Sequence, residues 1–168
     1  MKNKAMLAAL LIIGVASVAY ASFATTLTIN GTGTATGNWD VHIQSITRTS
    51  ATGATDAVNT PSVAVDNLSA TFDVDLAYPG ATATYSVVIA NSGNVDAKLN
   101  SLTNLATLNS AAPTYITYTI GGVAVNDVIT AGGTDTATVT VTWSAADNTS
   151  ANGTSKAATI NFGYGQNI

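Results

Sequence analysis

The chain has 168 residues, about one domain's length, with five Lys or Arg, nine acidic residues, one His and no Cys. Charged residues make up 8%, against ~25% in an average soluble chain; so few cations exclude nucleic-acid binding driven by phosphate neutralisation. The lack of Cys excludes a disulfide scaffold and a thiolate metal site, while 46% hydrophobic residues can bury a core that a disordered polar chain cannot.

All nine acids are Asp, and Thr and Ala together dominate the composition. Thr is β-branched and favours strands, whereas Ala does not, so Ala marks packing or loop positions. Lys2 and Lys4 precede the apolar run Ala5–Val18, which leads to the small-x-small sequence Ala19-Tyr20-Ala21. A helix of ~14 residues reaches ~21 Å, short of a ~30 Å hydrocarbon core. The pattern predicts a secretory signal peptide over residues 1–21, cut between Ala21 and Ser22. A retained apolar helix, as in a pilin, is the alternative, but strand-type sequence begins at once after the run. The exported chain would keep Arg48, Lys98 and Lys156 against nine Asp, a formal −6.

Residues 22–37 hold a strand pattern followed by a tether. Phe23, Thr25, Leu27 and Ile29 share one face of Ser22–Asn30, and Gly31, Gly33 and Gly37 follow among small polar residues. The seven-residue tether spans at most about 23–25 Å. It can place the strand in its own domain or in a neighbour's groove, where backbone pairing supplies affinity and alternate side chains fill pockets. A head-to-tail contact of that kind builds fibres unless the rotation closes it.

Residues 38–168 read as one β-sandwich domain of eight or nine strands. Trp39, Val41 and Ile43 alternate with polar residues; so do Leu68, Ala70, Phe72 and Val74; Tyr85, Val87 and Ile89; Ala137, Val139, Val141 and Trp143; and Ala158, Ile160, Phe162 and Tyr164. Such period-two alternation predicts strands with one buried face. Tyr78-Pro79-Gly80 presets a turn, Asn91–Asn94 separates two strands at hairpin distance, and Gly121-Gly122 signals a two-residue hairpin between Thr117–Ile120 and Val123–Val125. Leu99–Leu108 suits a short helix or an irregular crossing, and Asp147–Ser155 an exposed loop. The expected class is all-β, a single antiparallel sandwich with jelly-roll or Ig-like wiring.

The residues for catalysis are missing. A nucleophilic triad would have to use His42, which lies on a polar strand face. One His and no Glu make the zincin helix motif impossible. Asp73 and Asp75 share a strand face and could lend oxygens to calcium, but a solvated polar face is the default. Gly31–Gly37 lacks the Lys of a phosphate loop. No enzyme activity, cofactor or metal is expected. Four Asn-x-Ser/Thr sequons make Asn30, Asn67, Asn148 and Asn152 candidate glycosylation sites.

Several of these segments resemble the TasA/camelysin-like family of exported fibre subunits, including archaeal bundling-pilus relatives. The leader runs into a strand and a Gly-rich stretch. Leu76-Ala77-Tyr78-Pro79-Gly80 is similar to the family's Leu-x-x-Pro-Gly turn. Thr84–Ala90 followed by Asn91-Ser92-Gly93-Asn94-Val95-Asp96-Ala97-Lys98-Leu99 resembles its strand, Asn-x-Gly turn and return strand, and Ala158–Tyr164 its last strand. The chain is shorter than the bacterial relatives and lacks their Lys/Glu-rich surface.

The resemblance implies a jelly-roll-like sandwich whose copies join head-to-tail by donor-strand complementation into an extracellular filament, a pilus or biofilm-matrix fibre. The donor strand is then Phe23, Thr25, Leu27 and Ile29. The expected partners are other copies of the chain and neighbouring filaments in bundles for cell-cell adhesion, with no nucleic acid and no membrane after signal cleavage. The metalloprotease attribution in the camelysin name finds no residues here. The alternative is a monomeric or anchored cell-surface module for adhesion or carbohydrate binding, with Tyr78, Tyr85, Tyr115, Tyr118 and Tyr164 as a sugar platform.

Overall fold

The computed structural model describes Thr28, residues 30–146 and residues 156–167. Residues from Thr36 onward form one compact unit. Its start is tied down by Asn94, whose Nδ2 donates to Thr36 O (3.1 Å) and whose Oδ1 accepts from the Asn38 N–H (2.7 Å).

The strands are β1 Val41–Thr52, β2 Ala54–Asp56, β3 Ser62–Val63, β4 Ala70–Thr71, β5 Val74–Leu76, β6 Thr82–Asn91, β7 Ala97–Leu102, β8 Ile116–Gly121, β9 Val128–Ile129, β10 Thr134–Trp143 and β11 Phe162–Gln166, with one helix, α1 Leu105–Ser110. Every strand pair is antiparallel. One sheet runs β1-β6-β10-β8, a second β11-β7-β9, and β2-β5 and β3-β4 are small two-stranded pieces. The protein is an all-β sandwich.

Strand β6 is the hub. Ala83, Tyr85, Val87 and Ile89 face inward and are buried, as are Ala137, Val139 and Val141 of β10 and Ile116 and Tyr118 of β8. Burying each large aliphatic side chain contributes about 1.5–3 kcal/mol. The Phe72 ring stacks on Tyr85 at 4.6 Å.

The outer face of the same sheet explains the Thr content. Thr52, Thr82, Thr142 and Thr117 line up across all four strands, as do Ser50, Thr84, Thr140 and Thr119. Thr84 and Thr140 touch hydroxyl to hydroxyl at 3.1 Å, and Thr82 and Thr142 at 3.3 Å. Cross-strand hydroxyl pairs of this kind stabilise a sheet face that meets water.

Several expected elements differ. The run Leu68–Val74 is not one strand: β4 pairs with β3 and β5 with β2, because two different partners claim its two halves. Leu68 lies outside both and is 69% exposed. Asn91–Asn94 joins strands of different sheets rather than a hairpin. Gly121-Gly122 makes no hairpin either, since β8 pairs with β10 and Val123–Val125 is not a strand. In the Leu99–Leu108 stretch, the first part pairs as β7 and only the last residues enter α1, whose N-cap Asn104 accepts from the Ala106 N–H (3.0 Å). The Tyr78–Ala81 turn forms as expected, with the Ala81 N–H donating to Tyr78 O (2.9 Å) and Gly80 at φ 94°.

The Asn91–Asn94 corner is built on a buried amide. Asn91 is 1% exposed. Its Nδ2 donates to Val95 O (2.9 Å) and Ile129 O (3.2 Å), and its Oδ1 accepts from the Gly93 N–H (3.1 Å). A side chain on Gly93 would strike Asn38 O, so the corner requires glycine.

Candidate functional site

The sandwich is open along one line. Two cavities, of about 480 and about 820 Å³, share Ala70, Phe72 and Ala158 as a common wall. Their floor is the inner face of the large sheet: Val87, Ile89 and Val139 in the first, Val141, Ile116 and Tyr118 in the second. One wall is residues 67–77, which carry β4 and β5; the opposite wall is the carboxy-terminal arm from Lys156 to Tyr164. The result is a groove with an apolar floor and mixed walls along the layer opposite the large sheet.

Among the described residues the strands flanking the groove have no partner on the groove side. Among the described residues β11 pairs with β7 alone, β5 with β2 alone and β4 with β3 alone. Ahead of β11, residues 157–160 alternate outward (Ala157, Thr159) and inward (Ala158, Ile160) as a strand would. The expected strand Ala158–Tyr164 is therefore ladder-paired only from Phe162 onward, and its first half has no strand partner among the described residues.

Other edges are partly covered. Asn109 lies against the outer edge of β8: its Oδ1 accepts from the Tyr118 N–H (2.8 Å) and its Nδ2 donates to Tyr118 O (2.9 Å), imitating a strand partner. The Ile43 N–H of edge strand β1 donates to Asn67 O (2.7 Å). Edge β9 is two residues long, and short edges invite little pairing.

Polar side chains share the walls: His42, Asn67, Ser69, Thr159 and Asn161 in the first cavity, and Thr71, Asp73, Asp75 and Lys156 in the second. Lys156 Nζ donates to four main-chain carbonyls, Asn109 O (3.2 Å), Ala111 O (2.8 Å), Pro113 O (3.1 Å) and Ile116 O (2.9 Å). Burial pushes its pKa below the usual lysine value. Tyr118 Oη donates to Lys156 O (2.5 Å), and burial raises the Tyr118 pKa. Tyr164, at the other end, has its pKa pushed up to about 12 by burial, with Asp135 and Asp127 adding to the effect. Trp143 Nε1 and Tyr164 Oη are buried without a hydrogen-bond partner among the described residues. Such orphans are uncommon in complete structures.

Ala21, Ser22, Phe23, Thr25, Leu27, Ile29, Asn148 and Asn152 lie outside the described residues, as do the leader and the loop 147–155. Asn30 is exposed beside the exposed tether residues, and Asn67 is exposed on the groove rim at φ 57°. His42, expected to be fully solvated, is half-buried, with Nδ1 2.9 Å from Asp40 Oδ1. Asp73 and Asp75 are exposed and line the second cavity, and the described residues contain no cluster of three or more metal-type side chains. No described helix is long and apolar enough to cross a membrane. The tyrosines make no exposed platform: Tyr85 and Tyr118 are in the core, Tyr115 packs on Trp143, and Tyr78 alone is well exposed, at 49%.

Sequence reasoning missed Lys156 and the groove. A cation isolated among Ala, Ser and Thr was the available signal for the first. Comparison of the chain with protein-family models, curated proteins and solved structures gives no match.

Proposed function

We propose that the protein is the structural subunit of an extracellular filament, each copy taking the amino-terminal strand of the next into this groove. The observation that carries the reading is a groove over an apolar floor, bordered by strands with no partner there among the described residues. The floor residues Val87 and Ile89 of β6 and Val139 and Val141 of β10 step every second residue, ~6.6 Å apart along each strand. Phe23, Thr25, Leu27 and Ile29 step every second residue as well. A strand inserted there would hydrogen-bond to the Ala157–Ile160 arm and fill the apolar space, which is β-strand addition. Bundling of filaments is assigned to the hydroxyl-rich outer face: its rows from Thr52 to Thr117 and Ser50 to Thr119 carry no charge, so acidic copies meet there with least repulsion.

The scattered and buried tyrosines weigh against the carbohydrate-platform alternative. Negative-stain electron microscopy tests the reading on chains starting at Ser22 and at Thr36. Fibres are expected from the first and separate particles from the second. Particles from both overturn the filament, and fibres from both move its interface away from residues 22–35. Leu27→Asp is expected to block fibres while leaving the sandwich folded.

A further inference from the structure

The arm that walls the groove is suspended between two fixed points. At its start Lys156 is held twice, by the Tyr118 hydroxyl on its carbonyl and by its own ammonium in a cage of four carbonyls from the single connection Asn109–Ile116. An ammonium has three N–H donors, so these four acceptors use all of them. Neither salt bridge among the described residues involves Lys156. Among the described residues it works as a clamp on main chain rather than as half of an ion pair. At the other end the Asn161 N–H donates to Thr103 Oγ1 (2.7 Å) and the Thr103 N–H to Asn161 O (3.2 Å). Between them Ala157–Ile160 makes no hydrogen bond among the described residues, yet it keeps the alternation of a strand.

We propose that Lys156 is the positioning residue of the acceptor groove, holding Ala157–Ile160 extended so that a second copy's amino-terminal segment meets a ready-made strand edge. The inference rests on the filament reading. A stretch of four unpaired residues left loose would have to be ordered when the donor arrives, and that entropy loss would be subtracted from the binding free energy. The carbonyl cage imposes the order beforehand. No carboxylate is needed, which suits a chain with so few cations to pair with its Asp residues.

The test uses the full exported chain carrying Leu27→Asp, which cannot donate its own strand, and a fluorescent synthetic peptide of Ser22–Asn30. Anisotropy gives the peptide Kd for this parent, for the parent with Lys156→Met, and for a parent with Asn91→Ala, a destabilising change at a different corner. All are measured well below their melting temperatures. Lys156→Met is expected to weaken binding about tenfold or more, with faster amide exchange at residues 157–160, while Asn91→Ala stays within about twofold. Binding by Lys156→Met within twofold of the parent overturns the proposal, and so does an equal loss in Asn91→Ala, which would make the effect one of general stability. If Lys156→Met does not fold, Tyr118→Phe removes the second hold alone. It is then expected to weaken binding about threefold, and an unchanged Kd overturns the proposal. A parent that binds no peptide refutes the filament reading itself, a separate result.

Discussion

Replacing Asn91 by Ala should cost more than any surface change of similar size. The Asn91 side chain makes three well-formed hydrogen bonds, to Val95 O, Ile129 O and from the Gly93 N–H. At about 1 kcal/mol each, and with their partners left in a site where Asn91 is 1% exposed, the loss is about 3 kcal/mol. For a body of roughly 130 residues the unfolding entropy is about 0.27 kcal/mol/K, so the melting temperature should fall by about 10 °C. Asn91→Asp should be worse than Asn91→Ala at pH 7, because a carboxylate would face the carbonyls of Val95 and Ile129 with no N–H to offer. Circular dichroism melts of the three chains, with calorimetry to check two-state behaviour, measure this. A drop under 3 °C for Asn91→Ala, or an Asp variant at least as stable as the Ala variant, would refute the account of the corner.

Three further outcomes are expected. Asp56→Ala removes the acceptor of the buried Tyr85 hydroxyl (2.5 Å) and the partner of Arg48 (3.2 Å), and a urea titration should show a loss of about 2–4 kcal/mol. Most of that loss should vanish when Tyr85→Phe is already present. Gly93→Ala forces its Cβ against Asn38 O; the melting curve should show a loss of about 1–3 kcal/mol, and amide exchange should show early opening of the Asn38–Asp40 segment. The pH prediction follows from Tyr85, Tyr118 and Tyr164, all with pKa raised by burial. Each contributes stability that is intact below pH 10, the unfolded value, and is lost as pH rises through the folded value, because the unfolded chain ionises first. Lys156, shifted down, opposes this below pH 10.5. Stability should hold to about pH 9 and fall above pH 10, and Tyr164→Phe should recover up to about 2 kcal/mol of the loss at pH 12.

The legible parts of the fold are the strands whose two faces meet different surroundings. In β10 the inward Ala137, Val139 and Val141 and the outward Thr136, Thr138 and Thr140 follow the sequence pattern residue for residue. The second half of β1, Thr47–Thr52, has almost no apolar alternation; it is a strand because β6 lies beside it. Conversely, Val123–Val125 has strand composition and no partner, so it is a loop. Local pattern fixes which face is buried, whereas pairing depends on which edge another segment has already taken. The groove was illegible for the same reason, since a missing partner leaves no mark on the residues around it. The inward facing of Ile160, Phe162 and Tyr164 is legible, but not that half of their strand has no partner among the described residues.

The central position of β6 carries a consequence for how fast this protein becomes itself. Its two flanking strands are far away along the chain: Thr82 pairs with Thr52 on one side and with Thr142 on the other. Neither partnership can begin from a local hairpin, so two large loops must close before the inner row of β6 is covered, and folding dominated by such distant pairings takes milliseconds to seconds. During that interval Tyr85, Val87 and Ile89 are uncovered and the long edges of β6 are bare. Unfolded copies that meet at high local concentration before these pairings are complete would pair with one another instead, so the concentration of newly made chains, as much as the sequence, sets how many copies reach the folded state.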